Sequence, residues 1–78
     1  MKVVWVEWID SRAADPEWFD GSDLHDERLM ILESVGFVAQ EDEEKLVLVV
    51  SHDPHMEKVC GGMIIPKVAI RKRKVLKR

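Results

Sequence analysis

The chain has 78 residues, a formal net charge of −3 and one cysteine, Cys60. Chains this short fold as a single domain, here 1–78, and bury so little core that they depend on compact β packing or on neighbouring subunits. A lone thiol excludes an internal disulfide, and together with the lack of an apolar leader it predicts a reducing, cytoplasmic setting. No run of about 18 apolar residues is present, which excludes a membrane-spanning helix.

The charges are strongly segregated along the chain. Residues 1–66 contain 5 basic and 15 acidic side chains, whereas residues 67–78 contain 7 basic and no acidic ones. Such a basic tail is typical of segments that contact an acidic partner. An alternative is an internal match, in which the basic strand lies against acidic loops of the same or a neighbouring subunit.

The first predicted strand, residues 2–10, is apolar on both faces. Alternation places Val4, Val6 and Trp8 on one face and Val3, Trp5, Glu7 and Ile9 on the other. We interpret Trp8 and the more distant Trp18 as core and subunit-contact residues, because each ring buries roughly 150–250 Å². The alternative is that Trp8 and Trp18 form a stacking surface for bases or for a ring-bearing ligand.

The central feature is a predicted β-hairpin over residues 34–51. Residues 35–39 alternate with the period of a strand, and residues 46–50 form an apolar run typical of a strand covered on both faces. The acidic run 41–44 predicts the loop between them. We expect the strand before this loop to be long, from about Met30 to Gln40, with a bend or bulge at Gly36.

The segment before this hairpin is harder to assign. Residues 11–23 are polar and predict a loop, in which Trp18 and Phe19 either pin the loop over the core or form an exposed contact patch. Asp23 can cap a short helix from Leu24 to about Leu29, which we favour, with the long strand following it.

The remainder of the chain predicts two more strands. We expect a loop over residues 51–62, with turns at Asp53-Pro54 and at Gly61-Gly62, and then a short strand over residues 63–65. Pro66 ends that strand, residues 67–69 form a single tight turn, and residues 70–76 form the fifth strand.

No motif in the chain predicts catalysis. The loop 51–62 contains His52, Asp53, His55 and Cys60, which are side chains that zinc accepts, but no CxxC or HExxH accompanies them. We interpret this segment as a solvated loop with a partly buried thiol. The acidic residues that crowd the first long loop are interpreted as a solvated rim: Asp10, Asp15, Glu17, Asp20, Asp23 and Asp26. No GxSxG, P-loop or GxGxxG is present, so we expect neither an enzyme nor a cofactor.

Five strands, a bent second strand and a one-turn link between strands four and five resemble an SH3-like barrel of the Sm type. Residues 65–70, IPKVAI, look like the strand–turn–strand passage of Sm-like proteins, and Lys67-x-Ala69-Ile70 is similar to the Lys-His-Ala-Ile run of the bacterial Sm protein that chaperones small RNAs. The blocks 6–8, 34–37 and 64–66 also resemble short proteins of phages and prophages. The resemblance implies an all-β barrel that assembles into rings and binds RNA, although Val68 replaces the family's histidine and no N-terminal helix precedes the first strand.

The basic fifth strand is the strongest functional signal. Cationic side chains on such a strand neutralise phosphates, and the alternative is that they protect an edge strand from aggregation. We therefore expect a non-enzymatic, homo-oligomeric module that binds RNA or single-stranded nucleic acid through Lys67, Arg71, Lys72, Arg73 and Lys74. The alternatives are a phage-type module that docks on a host protein through the acidic rim and the aromatic residues Trp8, Trp18 and Phe19, or a binder of small nucleotide ligands between subunits.

Overall fold

The computed structural model describes residues 1–11, 18, 20–22 and 28–78, which contain five antiparallel strands in one sheet and no α-helix. The order across the sheet is β4-β3-β2-β1-β5. The expectation of an all-β chain with five strands is confirmed for these residues. The strands are β1 Val3–Asp10, β2 Met30–Glu41, β3 Lys45–Asp53, β4 Lys58–Pro66 and β5 Ile70–Leu76, with a 3₁₀ turn at Lys67–Ala69.

Some of the predicted element bounds match the structure, and one predicted element falls mostly on residues that the structure does not describe. The predicted bounds of β5 and of the turn before it are confirmed, and those of β1 and β2 differ by one residue. The favoured helix over residues 24–29 falls mostly on residues 24–27, outside the described part of the chain, and Leu29 lies in no regular element.

The sheet is not closed into a barrel by backbone pairing. Within the described residues, β4 pairs with β3 alone and β5 pairs with β1 alone. The 3₁₀ turn links β4 to β5, which lie at opposite edges of the sheet and run in the same direction within it. The backbone N–H and C=O groups on the outer edges of β4 and β5 therefore have no strand partner in the described chain.

The main core cluster lies on one face of the sheet. Val4 and Val6 are fully buried and Trp8 is 7% exposed, while their neighbours in β1 are only partly buried, as the alternation predicted. Burying an aliphatic side chain of this size stabilises the fold by roughly 1.5–3 kcal/mol. The cluster is completed by Leu46, Leu48 and Ile65, with Leu32, Val38 and Ile70 packed against it.

Gly36 lets the backbone of β2 approach β3 closely. A Cβ atom built at this position would lie 3.0 Å from the carbonyl oxygen of Val49 and 3.1 Å from the Cβ of Leu48. The irregularity in pairing comes slightly later, between Val38 and Gln40. The strand is thus long and irregular as predicted, but Gly36 serves the close approach and the extra residue is accommodated beyond it.

The predicted loop over residues 51–62 is wrong, because most of it is strand. β3 continues to Asp53, a four-residue turn follows, and β4 begins at Lys58. The carboxylate of Asp53 accepts hydrogen bonds from the backbone N–H groups of His55 and Met56, at 3.0 and 3.3 Å. This turn chemistry sets the two strands in register, so cross-strand pairing overrides the low β propensity of the polar residues.

Candidate nucleic-acid interface

The basic strand β5 lies along β1, and the pairing decides where its side chains are found. Lys72 is opposite Glu7 and Lys74 is opposite Trp5, on the face of β1 that does not contribute to the core. Both lysines are exposed. Among the described residues, neither ammonium group has a hydrogen bond or an ion pair. These two ammonium groups are available to an anionic ligand.

The other three predicted cations have carboxylate partners. Arg73 donates two hydrogen bonds to Glu41, at 2.6 and 2.9 Å, and Lys67 forms an ion pair with the same carboxylate at 2.6 Å. Arg71 lies 3.7 Å from Glu7. The internal match considered from the charge distribution therefore exists for these three residues.

The two cations on Glu41 change how it titrates. The hydrogen bonds from Arg73, and next those from Lys67, lower the pKa of the Glu41 carboxyl from 4.5 to about 2. The same contact raises the pKa of Arg73. In the hairpin loop beside them, Lys45 and the N–H groups of Glu44 and Lys45 lower the pKa of Asp42 from 3.8 to about 2. These carboxylates are ionised at neutral pH and hold the β2–β3 loop.

The three predicted aromatic contact residues separate in the structure. Trp8 is in the core, where its indole N–H donates to the hydroxyl of Ser34 at 3.0 Å, so its ring is not a stacking surface. Trp18 is fully exposed. Phe19 lies outside the described residues.

The aromatic ring next to the free lysines belongs to Trp5, which the sequence analysis did not select. Trp5 is partly buried between Lys74 of β5 and Val35 of β2, and its indole N–H donates to Glu33 at 2.9 Å. Strand alternation contained the signal, because it placed Trp5 on the face opposite Trp8. That face becomes a candidate surface only when β5 is known to lie beside it.

Phe37 adds a second aromatic group on the same sheet. Its ring meets that of His52 edge-on, with centroids 6.2 Å apart. The guanidinium carbon of Arg78 lies 5.6 Å from the Phe37 centroid, which is within the range of a cation–π contact. The Arg78 side chain is therefore directed back onto the sheet.

The histidine and cysteine residues of the β3–β4 hairpin do not gather into a metal site. Within the described part of the chain, no group of three or more His, Cys, Asp or Glu side chains is placed to hold a metal ion. Cys60 is exposed, so the expectation of a partly buried thiol is wrong. Cys60 lies on β4, an edge strand that pairs with a neighbour on one side only.

Comparisons with known proteins leave the chain without an assigned family. No family model, no curated protein and no solved structure matches it. Among the described residues, no helix has the length and apolar character needed to cross a bilayer.

Proposed function

We propose that the chain is a non-enzymatic binding module that takes RNA or single-stranded nucleic acid on the outer face of β5. The observation that carries this proposal is the position of Lys72 and Lys74, both exposed and both without an anionic partner in the described chain, on the strand beside Trp5. Ammonium groups bind phosphates and an aromatic ring stacks with bases, and such surfaces bind single strands with little sequence preference.

The contacts on Glu41 narrow the proposed site. Arg73 and Lys67 would have to give up their ion pairs with Glu41 before they could contact a phosphate, so we place them at the margin of the interface. Arg71 is intermediate, because its 3.7 Å separation from the Glu7 carboxylate is long for an ion pair and its side chain is 45% exposed. The working cations of the site are then Lys72 and Lys74, with Arg71 able to contribute.

The proposal includes an Sm-like fold and a homo-oligomer. The strand order, the long β2 with its pairing irregularity and the three-residue link before β5 support an Sm-like arrangement, and the resemblance to phage and prophage proteins is part of the same hypothesis. Assembly is supported by the amount of exposed apolar surface on so short a chain. The exposed apolar side chains include Leu29, Ile31, Val35, Val50, Met56, Val59, Met63, Ile64 and Val75.

The test is binding of a fluorescent oligouridine by anisotropy, with salt as a second variable. We expect Lys74→Gln to weaken binding and to reduce the slope of log affinity against log salt by about 0.7, the value for one phosphate contact on a single strand. The matched control is Lys58→Gln, which removes an exposed lysine from the far end of β4. Equal binding by both variants, or no binding by the wild type at low salt, would reject the proposed site.

A docking module for a host protein is the second candidate, and the full exposure of Trp18 favours it. Tryptophan is one of the residue types enriched at protein–protein interfaces. If Trp18→Ala abolishes the recovery of one stoichiometric protein from a lysate, while Lys74→Gln has no effect on any ligand, this candidate replaces the first. A thermal shift across a panel of nucleotides tests the small-ligand alternative.

A further inference from the structure

β4 is an edge strand without the usual protection of an edge. Its residues 59–65, VCGGMII, contain no charged side chain, and only Ile65 in the strand is buried. Val59, Met63 and Ile64 are exposed, the last by 67%. An uncharged, apolar edge with free backbone groups pairs with another strand or aggregates.

β5, the other edge, has the opposite character. Four consecutive basic residues, 71–74, occupy its centre and all four are exposed. Charged residues of this kind keep an edge strand from pairing. Two copies of β5 would repel each other, and pairing β4 with β5 would desolvate lysines beside a strand that has no acidic residue between positions 58 and 66. Of the edges in the described chain, a second β4 is the best match for β4.

The surface next to β4 is suited to its own copy. Beside the strand is a shallow groove of about 460 Å³ whose floor includes Gly61 and Gly62. Beyond the glycines, Val47, Val49 and Val59 line the groove together with the polar Gln40, so its lining is mainly apolar. On the same strand Ile64 protrudes, opposite Val47. In an antiparallel copy paired about Gly62, Ile64 of one chain is the diagonal neighbour of Gly62 in the other, and the missing glycine side chain leaves room for it.

We propose that β4 pairs with β4 of a second copy about a two-fold axis at Gly62, so that each Ile64 lies beside Cys60 of the other copy. This interface is isologous and closes at two chains. The proposal specifies the contact of the homo-oligomer proposed above and rests on that assembly, but it needs no nucleic acid. It also leaves β5, with its lysines, uncovered on both copies.

Disulfide trapping tests the register directly. Under mild oxidation at low protein concentration, Ile64→Cys should form a covalent dimer, because its new thiol faces the partner's Cys60. The two cysteines within one chain are four residues apart on a strand, about 13 Å, too far to bridge each other. Ile64→Cys combined with Cys60→Ser should not cross-link. If it cross-links equally, or if Val75→Cys gives species longer than dimers through Cys60, the β4–β4 pairing is overturned.

Mass measurement by light scattering tests the interface in solution. The wild type should have the mass of two 9.0 kDa chains, and Ile64→Lys should halve it. Val68→Lys is the control, because Val68 is 98% exposed in the 3₁₀ turn and belongs to neither edge strand. A monomeric wild type, or an Ile64→Lys variant of unchanged mass, overturns the inference. Oligouridine binding measured on the same variants distinguishes a failure of the β4–β4 inference from a failure of the proposed nucleic-acid site. If Ile64→Lys does not fold, the disulfide-trapping experiment decides.

Discussion

Arg73 and Glu41 form a bidentate contact between β5 and the end of β2, in which Nη1 donates to Oε2 and Nη2 donates to Oε1 of the carboxylate. The two residues are 32 positions apart in the chain. Lys67 joins the same carboxylate from the turn that precedes β5. Bidentate arginine contacts are among the stronger charge-assisted hydrogen bonds, and this one fastens an edge strand with which β2 has no ladder.

Acid should weaken this contact over a defined range. The pKa of Glu41 is lowered from 4.5 to about 2, so its contribution to stability is fully present above pH 4.5 and is lost as the pH falls towards 2. We expect Glu41→Gln to lose roughly 0.5–1 kcal/mol at neutral pH, a modest value because the pair is exposed. Thermal melts of the wild type and Glu41→Gln should converge on acidification.

The control for that experiment is Glu43→Gln, in the same hairpin loop. Glu43 is exposed and takes no part in the contacts of Glu41. If the stability difference between wild type and Glu41→Gln does not shrink below pH 4.5, or if Glu43→Gln behaves in the same way, the stabilising role of the Arg73 contact is refuted.

The hydroxyl of Ser34 should matter for stability because of Trp8. Trp8 is 7% exposed, and its indole N–H reaches Ser34 Oγ, which in turn lies 3.6 Å from the sulfur of Met63. Ser34→Ala leaves a buried donor without an acceptor, a cost of about 1–3 kcal/mol. Urea unfolding measures it, with the exposed Ser51→Ala as control. Equal midpoints for the two variants would show that water replaces the hydroxyl.

Gly36 should tolerate no side chain. The carbonyl of Val49 and the Cβ of Leu48 stand within 3.1 Å of where its Cβ would be, and neither is the flexible end of a side chain. We expect Gly36→Ala to destabilise the fold by roughly 1–3 kcal/mol, the usual range for overpacking. Gly21→Ala is the matched control, because nothing lies within 4 Å of its added methyl group. Comparable melting temperatures for the two variants would contradict the close crossing of β2 and β3.

Trp5 should report on nucleic acid if the proposed face is correct. Its partly buried ring adjoins Lys74, so bound bases should quench its fluorescence, and Trp5→Ala should weaken oligouridine binding by about 1–3 kcal/mol. Trp5→Phe, which keeps an aromatic ring, should retain most of the affinity. If Trp18→Ala loses binding instead, the ligand is held by the loop and not by β5.

The sequence alone determined the strands in which local pattern and burial agree. In β1 the alternation of Val4, Val6 and Trp8 with partly buried neighbours is a consequence of strand geometry, whatever the partner strands are. The turn before β5 followed from Pro66, which ends β4. The bounds of β5 followed from the local sequence that begins at Ile70. Both signals act within a few residues.

The tertiary structure decided what depends on distant partners. Residues 51–53 and 58–62 read locally as parts of one loop, and they are strand because β3 and β4 satisfy each other's backbone groups. Likewise, the five predicted cations, four in β5 and Lys67 in the turn before it, are equivalent in the sequence. Their division into Lys72 and Lys74, which are free of carboxylates in the described chain, and those held by Glu41 and Glu7 depends on register across the sheet. No local pattern encodes such a register, because it is set by contacts between residues about 30 positions apart or more.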